Sequence, residues 1–261
     1  MKLSAIYKYQ LAEHKNSVLI FYLVIVSILV AVFGINAITG LNGSQYGFSI
    51  KLGGIEAAPA VFLFVCGLTA FKENFQMALQ NGISRKSLFI NRIFVILTLA
   101  VGMSLLNLII LIVGQSMGSL SGIVQYSSVM EQIYGLGFTG HSNEILMLVE
   151  SFFFYIFLFI VCFSIGYLII VTFYRMNNKQ KGRYIVGFYL IAFVILPITD
   201  TLLYKSGIIP VQLSDLLLRF LDNIMGVSAQ NPYIAMVSFL IISIVINGLT
   251  WLLIRKVGIK N

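Results

Sequence analysis

Six long apolar stretches alternate with short polar gaps along the chain. They cover residues 17–38, 52–71, 92–113, 151–174, 184–204 and 233–254. Each is about 20 residues long, the length a helix needs to cross a hydrocarbon core roughly 30 Å thick. The pattern predicts an all-α polytopic membrane protein with six transmembrane helices. No separable soluble domain interrupts it, so residues 1–261 read as one transmembrane unit. Ahead of the first span, Leu3, Ile6, Tyr7 and Leu11 recur at helical spacing, while Lys2, Lys8, Glu13 and Lys15 stay polar. That stripe predicts an N-terminal interfacial helix over 3–15, lying flat at the headgroups. The apolar core begins too late, and runs too long, for a cleaved signal peptide.

The gaps differ in character. Residues 39–51 are rich in Gly, Asn and Ser and read as loop. Residues 114–150 have room for one or two short helices, with a break expected at the Gly-Leu-Gly-Phe-Thr-Gly run over 135–140. Within 205–232, Leu213, Leu216, Leu217, Phe220 and Ile224 oppose Asp215, Arg219 and Asp222. This predicts an amphipathic helix over 211–225, either on the outer membrane surface or reentrant. The gap between spans two and three carries the most information. Asn81-Gly82 is a break signal, with Gly82 suited to the left-handed conformation that ends a helix. Ser84 suits the N-cap of the next helix. The stretch 73–89 is thus expected to form a short helix, a sharp turn and a new helix, a compact knob able to dock a soluble partner.

Charge then orients the spans. Of the 17 Lys and Arg, only Lys51, Lys205 and Arg219 fall on one side of the predicted membrane; the other 14, including Arg92, fall on the opposite side. The positive-inside rule makes the basic side cytoplasmic, with both termini inside. Arg85, Lys86, Arg175, Lys179, Lys181 and Arg183 are expected to anchor span ends at anionic headgroups, which accounts for the net charge of +8. No basic tract with interleaved aromatics points to nucleic acid. A chain that is 59% hydrophobic and 10% charged is also outside the range of soluble domains. Cys66 and Cys162 both fall inside spans and read as packing residues.

Catalytic chemistry is not legible. No Gly-x-x-x-x-Gly-Lys-Ser/Thr run is present to hold nucleotide phosphates, and no His-Glu-x-x-His or Ser-His-Asp pattern appears. His14 and His141 are predicted on opposite sides, so no shared metal is expected. Glu56 and Asp200 are the acids nearest membrane depth, both toward outer ends, and are candidates for lining an outer transport path. Asn107, Ser104, Asn247 and Thr250 read as interhelical hydrogen-bonding groups. The lack of a midspan acid disfavours a proton-coupled secondary transporter.

Six spans, inner termini, an interfacial N-terminal helix and the 73–89 knob together resemble a permease subunit of a type-2 ABC exporter. The run Asn81-Gly82-Ile83-Ser84-Arg85-Lys86-Ser87-Leu88-Phe89 is similar to one common in small Gram-positive members. The resemblance implies a plasma-membrane permease without cofactor of its own. ATP and Mg would be bound by a separate ABC ATPase subunit, docked on Glu73, Asn74, Phe75, Gln76, Met77, Leu79 and Gly82. Phe75, Met77 and Leu79 would supply apolar contact, and Glu73 would pair with a basic group. Two permeases would assemble, as a homodimer or with a related permease. Gly34, Gly187, Phe21 and Tyr189 of the first and fifth spans are interface candidates. The substrate class would be amphipathic or hydrophobic: peptide, toxin, drug or lipid-like. Two other readings stay open: a non-transporting receptor, immunity or scaffold protein, and after it a secondary transporter.

Overall fold

A computed structural model describes residues 3–41, 50–121, 124–138, 144–206 and 212–257. Most of the loop expected over 39–51, and Thr139, Gly140, His141 and Val211, lie outside the described residues. Among the described residues, five helices are long and apolar enough to cross a membrane, and a sixth crossing results if one bent pair counts as a single span.

Helix α1 runs unbroken over Leu3–Leu41. The interfacial helix expected over 3–15 is therefore not a separate element. Its apolar stripe continues straight into the first span, because no glycine or proline interrupts the sequence before Gly34. Span two departs further from expectation. Residues Ile50–Gly53 form strand β1, a 3₁₀ turn follows at Ile55–Ala57, and helix α2 covers only Ala58–Thr69. Pro59 sits in the first turn of α2, where its missing N–H costs nothing. After a break of two residues, helix α3 (Lys72–Gln80) continues at a bend of 41°.

Helix α4 spans Arg85–Ser121 and leads into strand β2 (Val124–Ser127). The strands pair in parallel, with Ile50 opposite Val124 and Gly53 opposite Ser127. Parallel pairing requires a crossover, and α2, α3 and α4 provide it. Helix α5 (Val129–Phe138) passes through Gly135 and Gly137, so the first part of the 135–140 run, where a break is expected, is helical. Helices α6 (Glu144–Arg175) and α10 (Pro232–Arg255) are the remaining long packed spans. Between them, α7 (Asn178–Leu190), a π-helical turn (Ile191–Ile195) and α8 (Leu196–Lys205) form one apolar rod. None of its described residues is buried. Helix α9 (Leu213–Met225) is the amphipathic helix the sequence predicts, ending at Gly226 with φ of 62°.

The core lies where α2, α4 and α10 surround α6, filled by Phe154, Tyr155, Phe159 and Phe163. Two glycines set its tightest contact. A Cβ on Gly67 of α2 would lie 2.4 Å from the Phe163 carbonyl oxygen of α6, and one on Gly166 would lie 2.2 Å from the Phe64 carbonyl oxygen. The backbones touch directly, the mode of helix association that small residues permit in lipid.

Candidate functional site

One end of the bundle gathers the beginning of α1, the start of α4, the end of α10 and all of α3. His14 Nε2 lies 3.3 Å from Arg92 Nη1, and Arg85 Nη1 donates to the Arg255 carbonyl oxygen at 2.7 Å. Helix α3 projects from this end. It closes with a Schellman motif: the Ile83 N–H donates to the Ala78 carbonyl at 2.9 Å, and the Gly82 N–H to Leu79 at 3.0 Å. Gly82 takes φ of 68°, which only glycine adopts without cost. The Ser84 hydroxyl then accepts from the Ser87 N–H at 3.1 Å and caps α4. Short helix, turn and new helix are thus as the sequence predicts.

The facing of α3 is not. Phe75 is fully buried, stacked on Phe71 at 4.8 Å between ring centroids and edge-on to Tyr174 at 5.9 Å. Asn74 is buried too, its amide donating to Glu13 Oε2 at 2.6 Å and to the Ala70 carbonyl at 3.1 Å. Neither is presented to a soluble partner; both clamp the knob onto the bundle. Leu79 is half-buried against the core. The outward face consists of Lys72, Glu73, Gln80 and Asn81, with Gln76 and Met77 at its edge. Gly82 is exposed at the turn.

Among the anchoring residues, Lys86, Arg175, Lys179 and Arg183 are exposed at this same end, Lys181 is half-buried, and Arg85 is half-buried through its contact with Arg255. Arg183 Nε donates to the Lys179 carbonyl at 3.5 Å. Arg92 is buried inside the bundle, 1% exposed. Its guanidinium lies over Phe163 (4.7 Å) and Tyr167 (5.2 Å), which offset part of its desolvation through their negative faces. Nε and Nη2 have no hydrogen-bond partner among the described residues. The sequence held a signal for this pocket: Ile6, Gln10 and His14 recur every four residues, placing two polar groups on the apolar stripe of α1, and all three are buried. A buried charge satisfied this incompletely stabilises poorly, and even fully paired buried charges can often be replaced by apolar residues with no loss or with a gain of about 1–4 kcal/mol. Arg92→Met is therefore expected to keep or raise the thermal midpoint of the detergent-solubilised protein. A drop of more than about 5 °C would show that the charge holds the fold.

At the opposite end, Glu56 lines no open path among the described residues. Its Oε2 accepts from the Tyr155 hydroxyl at 2.5 Å and the Val129 N–H at 2.7 Å, and Oε1 from the Tyr126 hydroxyl at 3.4 Å. Burial, then the Glu56 carboxylate, hold the Tyr126 hydroxyl above the usual phenol range, so it stays a donor. The Glu56 carbonyl accepts from the Asn107 amide at 3.1 Å, and Tyr22 reaches Asn107 Oδ1 at 3.4 Å. The carboxylate thus ties α5, α6 and β2 together, while the Glu56 backbone carbonyl holds α4, which Tyr22 joins to α1. Asp200 also has a local role: its oxygens accept from the Leu213 N–H at 2.6 Å and the Ser214 N–H at 3.2 Å, capping α9 from α8. Tyr134, its hydroxyl pushed up to about 12 by burial, donates to the Met225 carbonyl at 2.5 Å and holds the other end of α9. The chain matches no family model, no curated protein and no solved structure.

Proposed function

We propose that this chain is the membrane-spanning subunit of an ATP-driven exporter of amphipathic or hydrophobic molecules, energised by a separate ATPase that docks on α3. The observation that carries the reading is the knob itself. It is a short helix clamped by Phe75 and Asn74, closed by Gly82, and outward-facing at the end where the basic residues collect. A plain interhelical loop has no need of such a clamp; a lever that passes motion from a soluble subunit into the bundle does. Glu73 remains the contact residue for a basic group of the ATPase, and Met77 the apolar one.

Parity of the chain supports six crossings with both termini cytoplasmic. Strands β1 and β2 share one end, so the segment between them crosses an even number of times. Since α4 is one full crossing, α2 with α3 supplies the other. The Arg85–Arg255 contact likewise brings the end of α10 to the start of α4. Pairing with a second permease fits the first and fifth spans. The α7–α8 rod has no buried described residue, and a side chain on Gly34 or Gly187 would meet nothing within 4 Å. Phe21 is committed instead to Phe62 by stacking at 4.4 Å, while Tyr189 remains exposed.

The test is a charge reversal on the outward face. Glu73→Arg with Met77→Asp leaves the clamp intact, so membrane insertion and thermal midpoint are expected to stay within wild-type scatter. Co-purification of a P-loop ATPase is expected to fall at least about tenfold, the scale of losing one central contact. An unchanged yield of that ATPase, or a purified complex without any ATPase, would overturn the exporter reading in favour of a receptor or immunity protein.

A further inference from the structure

An apolar groove of about 500 Å³ lies between α4, α6 and α10, on the flank away from Arg92. Phe89 and Trp251 close its inner end, with ring centroids 5.3 Å apart, and Leu240 lies at its far end. From Leu240 to Trp251 the helix rises about 16 Å. That is close to half of a hydrocarbon core roughly 30 Å thick, the depth of one leaflet. Leu240 and Ile244 are exposed, so the groove opens sideways. Its polar floor asks for nothing: the Asn247 amide already donates to Ser164 Oγ at 3.0 Å and to the Ser243 carbonyl at 2.8 Å. What remains is a slot for hydrocarbon.

The rim is basic. Arg85 stands one turn before Phe89, and Arg255 one turn after Trp251. Arg255 Cζ lies 6.0 Å from the Trp251 ring centroid, and Arg85 is bonded to the Arg255 carbonyl. Lys86 and Lys256 flank them, both exposed. Neither 85–97 nor 240–257 contains an acid. A groove one leaflet deep and a mouth carrying Arg85 and Arg255 match a molecule with a negative head and a single-leaflet tail. We propose that this groove is a binding site for an anionic phospholipid, with one acyl chain lying between α4, α6 and α10 and the phosphate held by Arg85 and Arg255. The site depends only on the helices lying in a bilayer, so it stands or falls independently of the exporter reading.

Trp251 is the only tryptophan in the chain and lines the groove, which gives a direct readout. The full chain is reconstituted in phosphatidylcholine vesicles doped with either brominated phosphatidylglycerol or brominated phosphatidylcholine. The brominated phosphatidylglycerol is expected to quench Trp251 at a far lower mole fraction than the zwitterionic lipid. Replacing Arg85 and Arg255 by Gln should cut this preference about fivefold per arginine, or about 1 kcal/mol each. Gly248→Leu tests the slot separately. A Cβ at Gly248 meets nothing within 4 Å, so the side chain fills the groove while every rim charge stays. The preference is expected to vanish in Gly248→Leu. Equal quenching by the two lipids in the wild type would overturn the proposal. So would a preference that survives Gly248→Leu, since that result means diffuse attraction to basic residues rather than a bound lipid.

Discussion

Gly166→Leu is expected to abolish the folded bundle, with loss of the monodisperse species in detergent. The reason is what a side chain there would strike. Its Cβ alone would lie 2.2 Å from the Phe64 carbonyl oxygen and 3.1 Å from the Leu68 nitrogen. Those are backbone atoms of α2, which cannot rotate aside as a side chain can. The two helices must part, and the Phe163 and Tyr167 rings beside them lose their neighbours. Such overpacking against backbone belongs with the exceptional mutations that cost more than about 4 kcal/mol. Gly67→Leu meets the Phe163 carbonyl oxygen and the Tyr167 nitrogen in the same way, so it is expected to be as damaging. Gly102→Leu is the control, because nothing lies within 4 Å of its added Cβ. A Gly166→Leu protein with the wild-type elution profile and thermal midpoint would show that α2 and α6 are not in backbone contact.

Phe75→Ala is expected to cost about 3–5 kcal/mol, the usual range for emptying a buried aromatic site. The ring is lost from between Phe71 and Tyr174, and with it the apolar half of the clamp on α3. The Asn74–Glu13 hydrogen bond still ties α3 to α1. A cysteine introduced at Gln76 should react faster with a water-soluble maleimide in Phe75→Ala than in the wild type, because α3 swings off the bundle. On the proposed exporter reading, ATPase docking should fall as well, although Phe75 itself is buried. The contrast with Glu73→Arg separates the two roles: one variant loses docking through disorder of α3, the other with α3 in place. Labelling at Gln76 that is as slow in Phe75→Ala as in the wild type would show that α3 is held by other contacts.

What the sequence reveals about this end follows from how local each signal is. Gly82 and Ser84 act within one turn of their own backbone, so the turn between α3 and α4 can be read from a few letters. Phe75 could have been read as well. Phe71, Phe75 and Ala78 continue a buried stripe at helical spacing, and that spacing turns Phe75 inward while Glu73 and Gln80 stay out. Gly67 and Gly166 carry no such clue. A glycine in an apolar span says that a backbone can come close, but not which one does. Strands β1 and β2 are four residues each, and their pairing joins positions more than 70 residues apart. Nothing local in Ile50–Gly53 distinguishes a strand from the start of span two. The Glu56 network is non-local in the same sense: its donors come from β2, α5 and α6, so the acid near a span end reads as a boundary residue until those elements are assembled.

Helix α2 has one more consequence, and it concerns the lipid around the protein. With the turn before it, α2 covers residues 55–69 and rises about 23 Å, so the bent α3 must complete a crossing of about 30 Å. Its neighbour α6, with 32 residues, overshoots the same core. Val61 and Val65 of α2 are exposed. A shortfall of this kind is met by thinning of the adjacent bilayer, at fractions of a kcal/mol per Å. The bilayer covering the exposed face of α2 is therefore expected to be thinner than that beside α6, which makes the lipid annulus uneven.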